Sequence, residues 1–534
     1  MKKKLPRVLL LSLIITISFC AYAETEHIAN DKSSTLTTVH KCIYDLKQLV
    51  TAWRFSFESV KMPDANERNM GLLGINYLVD INSWVYAGLG GYTAVSGKRG
   101  GLFALGVEAG IHHKLFGNLV GDAGFYAGGG GGGSSLVGSG LMLRPHVGVS
   151  YDFKNFLLGV ELSHVRFQNG SIKSTQASIT LTIPGVFAYS SPENSGKTIF
   201  DSSAFAEKIV DYINFSENYI SLLEQSYFQT HSSKDNFGNV DTSTMSTVGA
   251  EVDHFFNPKY FTFFKGAGAF AGHHNGYMDV LGGLGYRLKF AFLPRLSLKA
   301  RFGFGAGGGG NVDTGGGVLL EPGIGVEYQL TPKISAEVDS GYLFAPDGKF
   351  KALDVALRLN YRLFFGELAD VATVSTVDTL PWEFKEWRVR VVNQTYFNPQ
   401  RINGVAQETV NLVGVKFDTF FNPYLYITGQ ANSAYAGKNV GGYASGLLGL
   451  GLRSEKFLDN KIEWNAEVLT GAGGGGSMNV GGGLLLHPVV GLTYYFNPYV
   501  GLQAEVGRIL GLKGKLNATT LDFGLVFDFV TLQH

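Results

Sequence analysis

The chain has 534 residues, with 44 Lys+Arg against 44 Asp+Glu, 16% charged residues, 13% aromatics and 72 glycines. Soluble globular chains carry about 25% charged residues and about 7% Gly, so this one is poor in charge and rich in Gly, and its zero balance argues against nucleic acid as a partner. Past the first thirty residues no run approaches the roughly 18 apolar residues of a membrane helix, which excludes helical spans there.

In chain order, residues 1–23 read as a signal peptide. Lys2, Lys3, Lys4 and Arg7 form a basic region, Val8 to Phe19 an apolar core, and Ala21-Tyr22-Ala23 a small-x-small cleavage site. Cys20 leaves with the signal and Cys42 is then the one mature cysteine, so no internal disulfide is expected. Residues 24–50 form an N-terminal segment with helical character from Thr37 to Val50.

Three long repeats follow, at 51–184, 220–365 and 386–534, marked by Gly-rich hairpins that start at Gly128, Gly307 and Gly473. Their spacing far exceeds a solenoid turn of about 20–50 residues, so each is a whole folding unit. Within them the hydrophobic period is two. Leu353, Val355, Leu357, Leu359 and Tyr361 alternate with Asp354, Ala356, Arg358, Asn360 and Arg362, and Leu521, Phe523, Leu525, Phe527 and Phe529 alternate with Asp522, Gly524, Val526 and Asp528. The third repeat divides into eight strands, approximately 386–397, 409–421, 424–436, 442–455, 461–473, 483–496, 499–510 and 518–530. Short turns such as Phe421-Asn422-Pro423-Tyr424 follow its even-numbered strands and longer loops its odd-numbered ones, and the other repeats copy this with Asn257-Pro258-Lys259, Thr331-Pro332-Lys333, Asn82-Ser83 and Lys154-Asn155.

Eight amphipathic strands, short turns on one edge, longer loops on the other and an export signal resemble the small outer-membrane β-barrel proteins of Gram-negative bacteria. One departure is the terminus. Such proteins commonly end on an aromatic residue, whereas this chain continues past Phe529 to His534. The resemblance implies an all-β fold of antiparallel transmembrane β-barrel type, 24 strands in three eight-strand repeats, in the cell outer membrane. It places residues 24–50 in the periplasm and implies outer-membrane lipid and the barrel-assembly machinery as partners. A bilayer leaves strand edges unsatisfied unless the sheet closes. Linkers at 185–219 and 366–385 favour three separate barrels over one 24-strand barrel, which would need only turns there. The first linker carries an amphipathic helical stretch through Phe205, Ile209, Tyr212 and Ile213.

The polar faces supply the candidate residues. On the seventh strands Glu161, Glu337 and Glu505 are expected at equivalent positions; the fourth strands offer Glu108, Arg287 and Arg453, the fifth Asp122, Arg301 and Glu467, and the second Asn76, Glu251 and Lys416. In a narrow barrel these would form a paired network that plugs the lumen; in a wider one they would line a solute path. Pro145, Pro322 and Pro488 recur on the sixth strands and predict a bulge or bend, and Arg144, Glu321 and His487 beside them either belong to that kink or face a small outward pocket. The Gly tracts open no helix after a parallel strand, so no nucleotide cofactor site is expected. His112-His113 and His273-His274 with Asp279 occur in single repeats only, and His146 and His487 read as hydrogen-bonding residues, so neither a metal nor a catalytic site is expected. Three roles remain open: a non-enzymatic outer-membrane scaffold whose loops meet surface partners or stabilise the envelope, a channel through a 24-strand barrel, and a lipid-modifying enzyme with a His and a Ser or acidic partner at the long-loop edge.

Overall fold

The computed structural model describes residues 47–132, 135–199, 213–368, 382–402 and 407–533. The expected signal peptide, residues 24–46 and the helical stretch from Phe205 to Tyr212 lie outside them. The first unit comprises β1 (Lys47–Val60), β2 (Met70–Asp80), β3 (Val85–Ser96), β4 (Phe103–Lys114), β5 (Leu119–Gly131), β6 (Met142–Asp152), β7 (Leu157–Phe167) and β8 (Lys173–Tyr189). After the short β9 (Thr198–Ile199), the second comprises β10 (Ile213–Gln229), β11 (Thr244–Phe255), β12 (Tyr260–Ala271), β13 (Met278–Phe290), β14 (Leu293–Gly308), β15 (Val318–Gln329), β16 (Ile334–Phe344) and β17 (Lys351–Leu368). The third comprises β18 (Trp382–Phe397), β19 (Val410–Phe420), β20 (Leu425–Ala436), β21 (Ala444–Arg453), β22 (Ile462–Gly474), β23 (Leu484–Tyr495), β24 (Val500–Gly511) and β25 (Asn517–Gln533).

Each unit closes on itself. β1 pairs antiparallel with β8 (Arg54↔Thr182), β10 with β17 (Ile220↔Tyr361) and β18 with β25 (Arg390↔Val526). The 24-strand alternative is thereby corrected: every unit's first edge finds its own last edge, and pairing between units is confined to the strand ends, as at Phe365↔Gln533. The closing strands also run past the expected bounds. Lys47–Val50 is strand rather than helix, and Gly185–Tyr189, Ile213–Tyr219 and Gly366–Leu368 extend strands into what reads as linker. Pairing of both chain ends satisfies backbone groups that a short amphipathic helix would have to satisfy alone.

Outward residues form the apolar belt of a transmembrane barrel. Leu353, Val355, Leu357 and Leu359 are 56%, 38%, 51% and 51% exposed, while Asp354, Arg358 and Asn360 between them are buried. Each such side chain forgoes roughly 1.5–3 kcal/mol if left in water, and the belt recurs in all three units, as at Leu158, Val160, Leu162, Val490, Leu492 and Val506. Hydrocarbon is the solvent that removes this penalty. Aromatic residues such as Trp84, Phe116, Phe153, Phe292, Phe421 and Phe496 collect at the short-turn edge, where amphipathic rings meet headgroups.

The three barrels form a closed ring with threefold pseudosymmetry. Faces built on β11 and β12 pack on β21, β22 and β23, β19 and β20 pack on β4 and β5, and β3 packs on β14 and β15. The Gly-rich hairpins are the joints. Gly101, Gly276 and Gly442, all with positive φ, sit against the backbone at Gly308–Gly309, Gly474–Gly475 and Gly131–Gly132 of the neighbouring barrel. At Gly317, Gly483 and Gly140 a Cβ would run into the carbonyl oxygens of Ala94, Ala269 and Ala434 across the joint. Those alanines lie beside the register shifts at Gly71/Leu72, Ser246/Thr247 and Asn411/Leu412, so the bulges fall at the joints.

At the motif prolines the bulge does not form. Ladder pairs run Leu143↔Arg166 then His146↔Ser163, Leu320↔Phe344 then Gly323↔Gly341, and Leu486↔Leu510 then Val489↔Gly507. Pro145, Pro322 and Pro488 therefore interrupt pairing with the next strand while the register continues in step: a donor is missing, but no residue is inserted, so there is no bulge.

At the centre of the ring Leu89, Phe187, Leu363, Trp387, Val389, Val415 and Phe529, drawn from all three barrels, form one apolar cluster. Toward the short-turn side the paired strand ends continue as ribbons that meet there. Phe187 and Phe529 stack edge-on at 5.3 Å, Ser190 and Val530 exchange backbone hydrogen bonds of 3.0 and 3.2 Å, and β9 pairs with Trp382–Glu383. Val530 to Gln533 are thus buried strand.

Candidate functional site

Alternation along the strands turns charged side chains into three separate lumens. In the first barrel Arg54 of β1 is the hub: it donates to Glu108 (3.1 Å), Asp122 (2.8 Å) and the Tyr86 hydroxyl (3.0 Å). Arg144 of β6 joins Glu58 (2.8 Å) to Glu161 (3.1 Å), and Gln176 donates to Glu58 at 3.0 Å. In the second barrel Arg301 bridges Glu251 and Glu337, Lys299 reaches Glu337 (2.8 Å) and Asp253 (3.2 Å), and Lys265 holds Glu321 at 2.8 Å. Arg358 pairs with Glu251 and Asp339, and Arg287 caps the short-turn mouth on Glu217 at 2.7 Å. In the third, Arg390 meets Asp418 (2.7 Å), Glu467 (2.7 Å) and Glu505 (3.0 Å), and Lys416 pairs with Glu467 and Glu505. Arg388 joins Asp528 to Glu463, and Arg453 forks onto Glu386 at 2.6 and 2.7 Å.

Toward the long loops each lumen turns apolar. Tyr396, Tyr443, Met478, Val480 and Ile509 fill the third, Tyr92, Tyr126, Val137 and Phe167 the first, and Tyr227, Tyr277, Val312 and Phe350 the second. Arg144, Arg287, Arg388 and Arg390 are under 2% exposed, as are Tyr92, Tyr126, Tyr227, Tyr277 and Tyr396, so charge and cap together fill the interior. Glycine makes room for the rings: a Cβ at Gly283 or Gly285 would collide with Phe263 or Phe261, and one at Gly451 with Tyr426.

The structure places Glu108, Asp122, Glu161, Glu251, Arg287, Arg301, Glu337, Lys416, Arg453, Glu467 and Glu505 in the lumens, each within its own barrel's network. One equivalence is corrected. Opposite Gly148, Gly325 and Gly491 stand Glu161, Asp339 and Glu505, so Asp339 rather than Glu337 holds the shared position. A two-residue shift keeps a side chain on the same strand face, and the period-two pattern is blind to it. On the fourth strands Arg287 and Arg453 donate their amides to Lys259 and Tyr424 as His112 does to Trp84, so His112 shares their register and Glu108 lies deeper. Missed by sequence were the first-strand hubs Arg54, Arg388 and Arg390, although their alternation with Trp53, Phe55, Trp387 and Val389 carries the signal.

Arg144, Glu321 and His487 point into the lumens rather than an outward pocket: Arg144 bridges Glu58 and Glu161, Glu321 takes Lys265 and Gln225, and His487 meets Thr520 at 3.1 Å. His274 is held in its loop by the Gly310 carbonyl (2.8 Å) and Asp241 (3.3 Å), while Asp279 accepts from the Tyr227 hydroxyl at 2.9 Å, so the two serve different networks. His112 lies 3.7 Å from Asp80 and His113 stacks on Trp84, on opposite faces of β4. Asp122, His146 and Glu161 bring one ligand atom each within 4.8 Å of one another. A cation there would have to displace the guanidinium groups of Arg54 and Arg144, which already pair with those carboxylates.

No protein-family model matches the chain, and no curated protein does. Among solved structures, Pseudomonas aeruginosa OpdQ aligns at 9% identity over 91% of this chain and 98% of its own, with a TM-score of 0.20. Pseudomonas putida OprB aligns at 10% identity over 61% of this chain and 96% of its own, with a TM-score of 0.22. The ferric enterobactin receptor PfeA aligns at 11% identity over 90% and 81%, with a TM-score of 0.26. Scores this low do not bear on fold or function, and the antiparallel transmembrane β-barrel architecture rests on the chain's own strand closure and apolar belt.

Proposed function

We propose that the chain is a non-enzymatic structural protein of the outer membrane, exported through a cleaved signal peptide, inserted by the barrel-assembly machinery, and acting as a three-barrel scaffold of the envelope. The observation that carries this reading is the filling of all three lumens, by ion-paired hubs such as Arg390 toward the short turns and by apolar caps such as Tyr396, Tyr443 and Met478 toward the long loops. A solute path needs a hydrated, continuous lining, whereas opening these networks would strand buried charges at several kcal/mol each. The central axis is apolar as well, where Trp387 and Phe529 of the third barrel cluster with Leu89 and Phe187 of the first and Leu363 of the second.

The test is planar-bilayer conductance of the purified full chain. Absence of discrete conductance steps over the voltage range where open barrels conduct supports the scaffold. Stable, reproducible steps of one size would overturn it in favour of a channel.

A further inference from the structure

We infer that the outer rim of this ring binds the phosphate-bearing headgroups of membrane lipids at the hairpins joining the seventh and eighth strands, most strongly at Arg166 and Lys173. Two observations carry it. First, Arg166 and Lys173 are cross-strand partners, both exposed and both outward. Like charges directly opposite on a ladder repel, and no carboxylate relieves them: the sequence from Leu162 to Ile179 contains neither Asp nor Glu. Second, the same hairpin is basic in every barrel. The second carries Lys349 and Lys351 beside Asp347, and the third carries Arg508, Lys513 and Lys515, with Arg508 also donating to Asn517 at 2.6 Å.

Their position fits a headgroup. Leu158, Val160 and Leu162 continue the hydrocarbon belt up β7, then His164 bonds Thr175 at 2.7 Å, then Arg166 follows on the same face. At about 3.3 Å per residue, Arg166 stands roughly 13 Å beyond Leu162 along the strand. That is the step from acyl chain to headgroup.

This rests on the membrane reading above, with the long loops on the outer side. The test uses the full chain reconstituted in phosphatidylcholine vesicles with and without a phosphorylated glycolipid, and counts co-purified lipid by native mass spectrometry. Wild type and a Lys98→Gln control retain the phosphorylated lipid over phosphatidylcholine, and the double variant Arg166→Gln/Lys173→Gln loses that preference by about tenfold or more. Equal retention by the double variant overturns the inference, as does displacement of the lipid by inorganic phosphate alone. Insertion without lipid preference sinks this inference only, whereas failure to insert, seen as loss of the folded band on unheated gels, sinks the membrane reading with it.

Discussion

The amide of Gly442, in the third barrel, donates a 3.0 Å hydrogen bond to the carbonyl of Gly130 in the first. Gly100 and Gly315 join the first barrel to the second in the same way at 2.9 Å, and the Asn275 side chain reaches Gly481 at 2.6 Å between the second and third. The chain thus closes a ring on itself through backbone groups that only glycine leaves accessible.

That arrangement predicts a selective weakness. Gly276 has φ of +86° and faces the backbone of Gly475, so Gly276→Val meets both the left-handed penalty of about 1–2 kcal/mol and a clash no side chain can relieve. The expected outcome is earlier separation of the three barrels on heating while each remains folded. Differential scanning calorimetry should resolve one transition into two; a single unshifted transition would count against the joint.

Much of this was legible in the sequence. Alternation of Leu353 to Tyr361 with Asp354 to Arg362 gives both strand faces, because hydrocarbon and lumen impose opposite polarity at period two. What stayed hidden was whatever leaves that period unchanged. The two-residue offset between Glu337 and Asp339 is one case. The joints are another: glycine reads locally as a loop or bend, and the carbonyl of Ala94 that Gly317 approaches belongs to another repeat.

The lumenal hubs should be far more costly to remove than surface pairs. Arg390 is buried and serves Asp418, Glu467 and Glu505, so Arg390→Met leaves three carboxylates short of a partner and should destabilise by about 3–5 kcal/mol. Arg99 pairs with Glu67 at 2.6 Å in a partly exposed loop contact, and Arg99→Met should cost only about 0–1 kcal/mol. Urea unfolding in detergent, followed by tryptophan fluorescence, measures both; similar midpoints would contradict the ranking.

The long loop of the second barrel should resist acid. At Asp241 burial would raise the carboxyl, but hydrogen bonds from the Ser243 hydroxyl (2.6 Å) and amide (2.9 Å), with His274 at 3.3 Å, outweigh it and hold the group below its ordinary range. A depressed folded value stabilises the loop at pH above the unfolded value of about 3.9, and this is lost as pH falls through the folded one. Amide exchange across residues 230–243 should therefore stay slow to below about pH 4. Asp241→Asn should speed that exchange at pH 7 by several-fold, and an unchanged rate would dissociate the carboxylate from the loop's order.

Two tryptophans separate the centre of the ring from its rim. Both point out of the third barrel, but Trp387 is 1% exposed, donates to Thr531 at 2.8 Å and packs against Phe417 at 5.2 Å, whereas Trp464 is 45% exposed on the lipid belt. Trp387→Ala opens a cavity where all three barrels meet and should cost about 3–5 kcal/mol. Trp464→Ala exchanges one lipid contact for another and should cost well under half of that. Because Trp387 lies in the shared cluster, its loss should also lower the heat resistance of the first and second barrels. Site-specific protease accessibility in each barrel measures that spread. Weakening confined to the third barrel would mean that the central cluster does not couple the three.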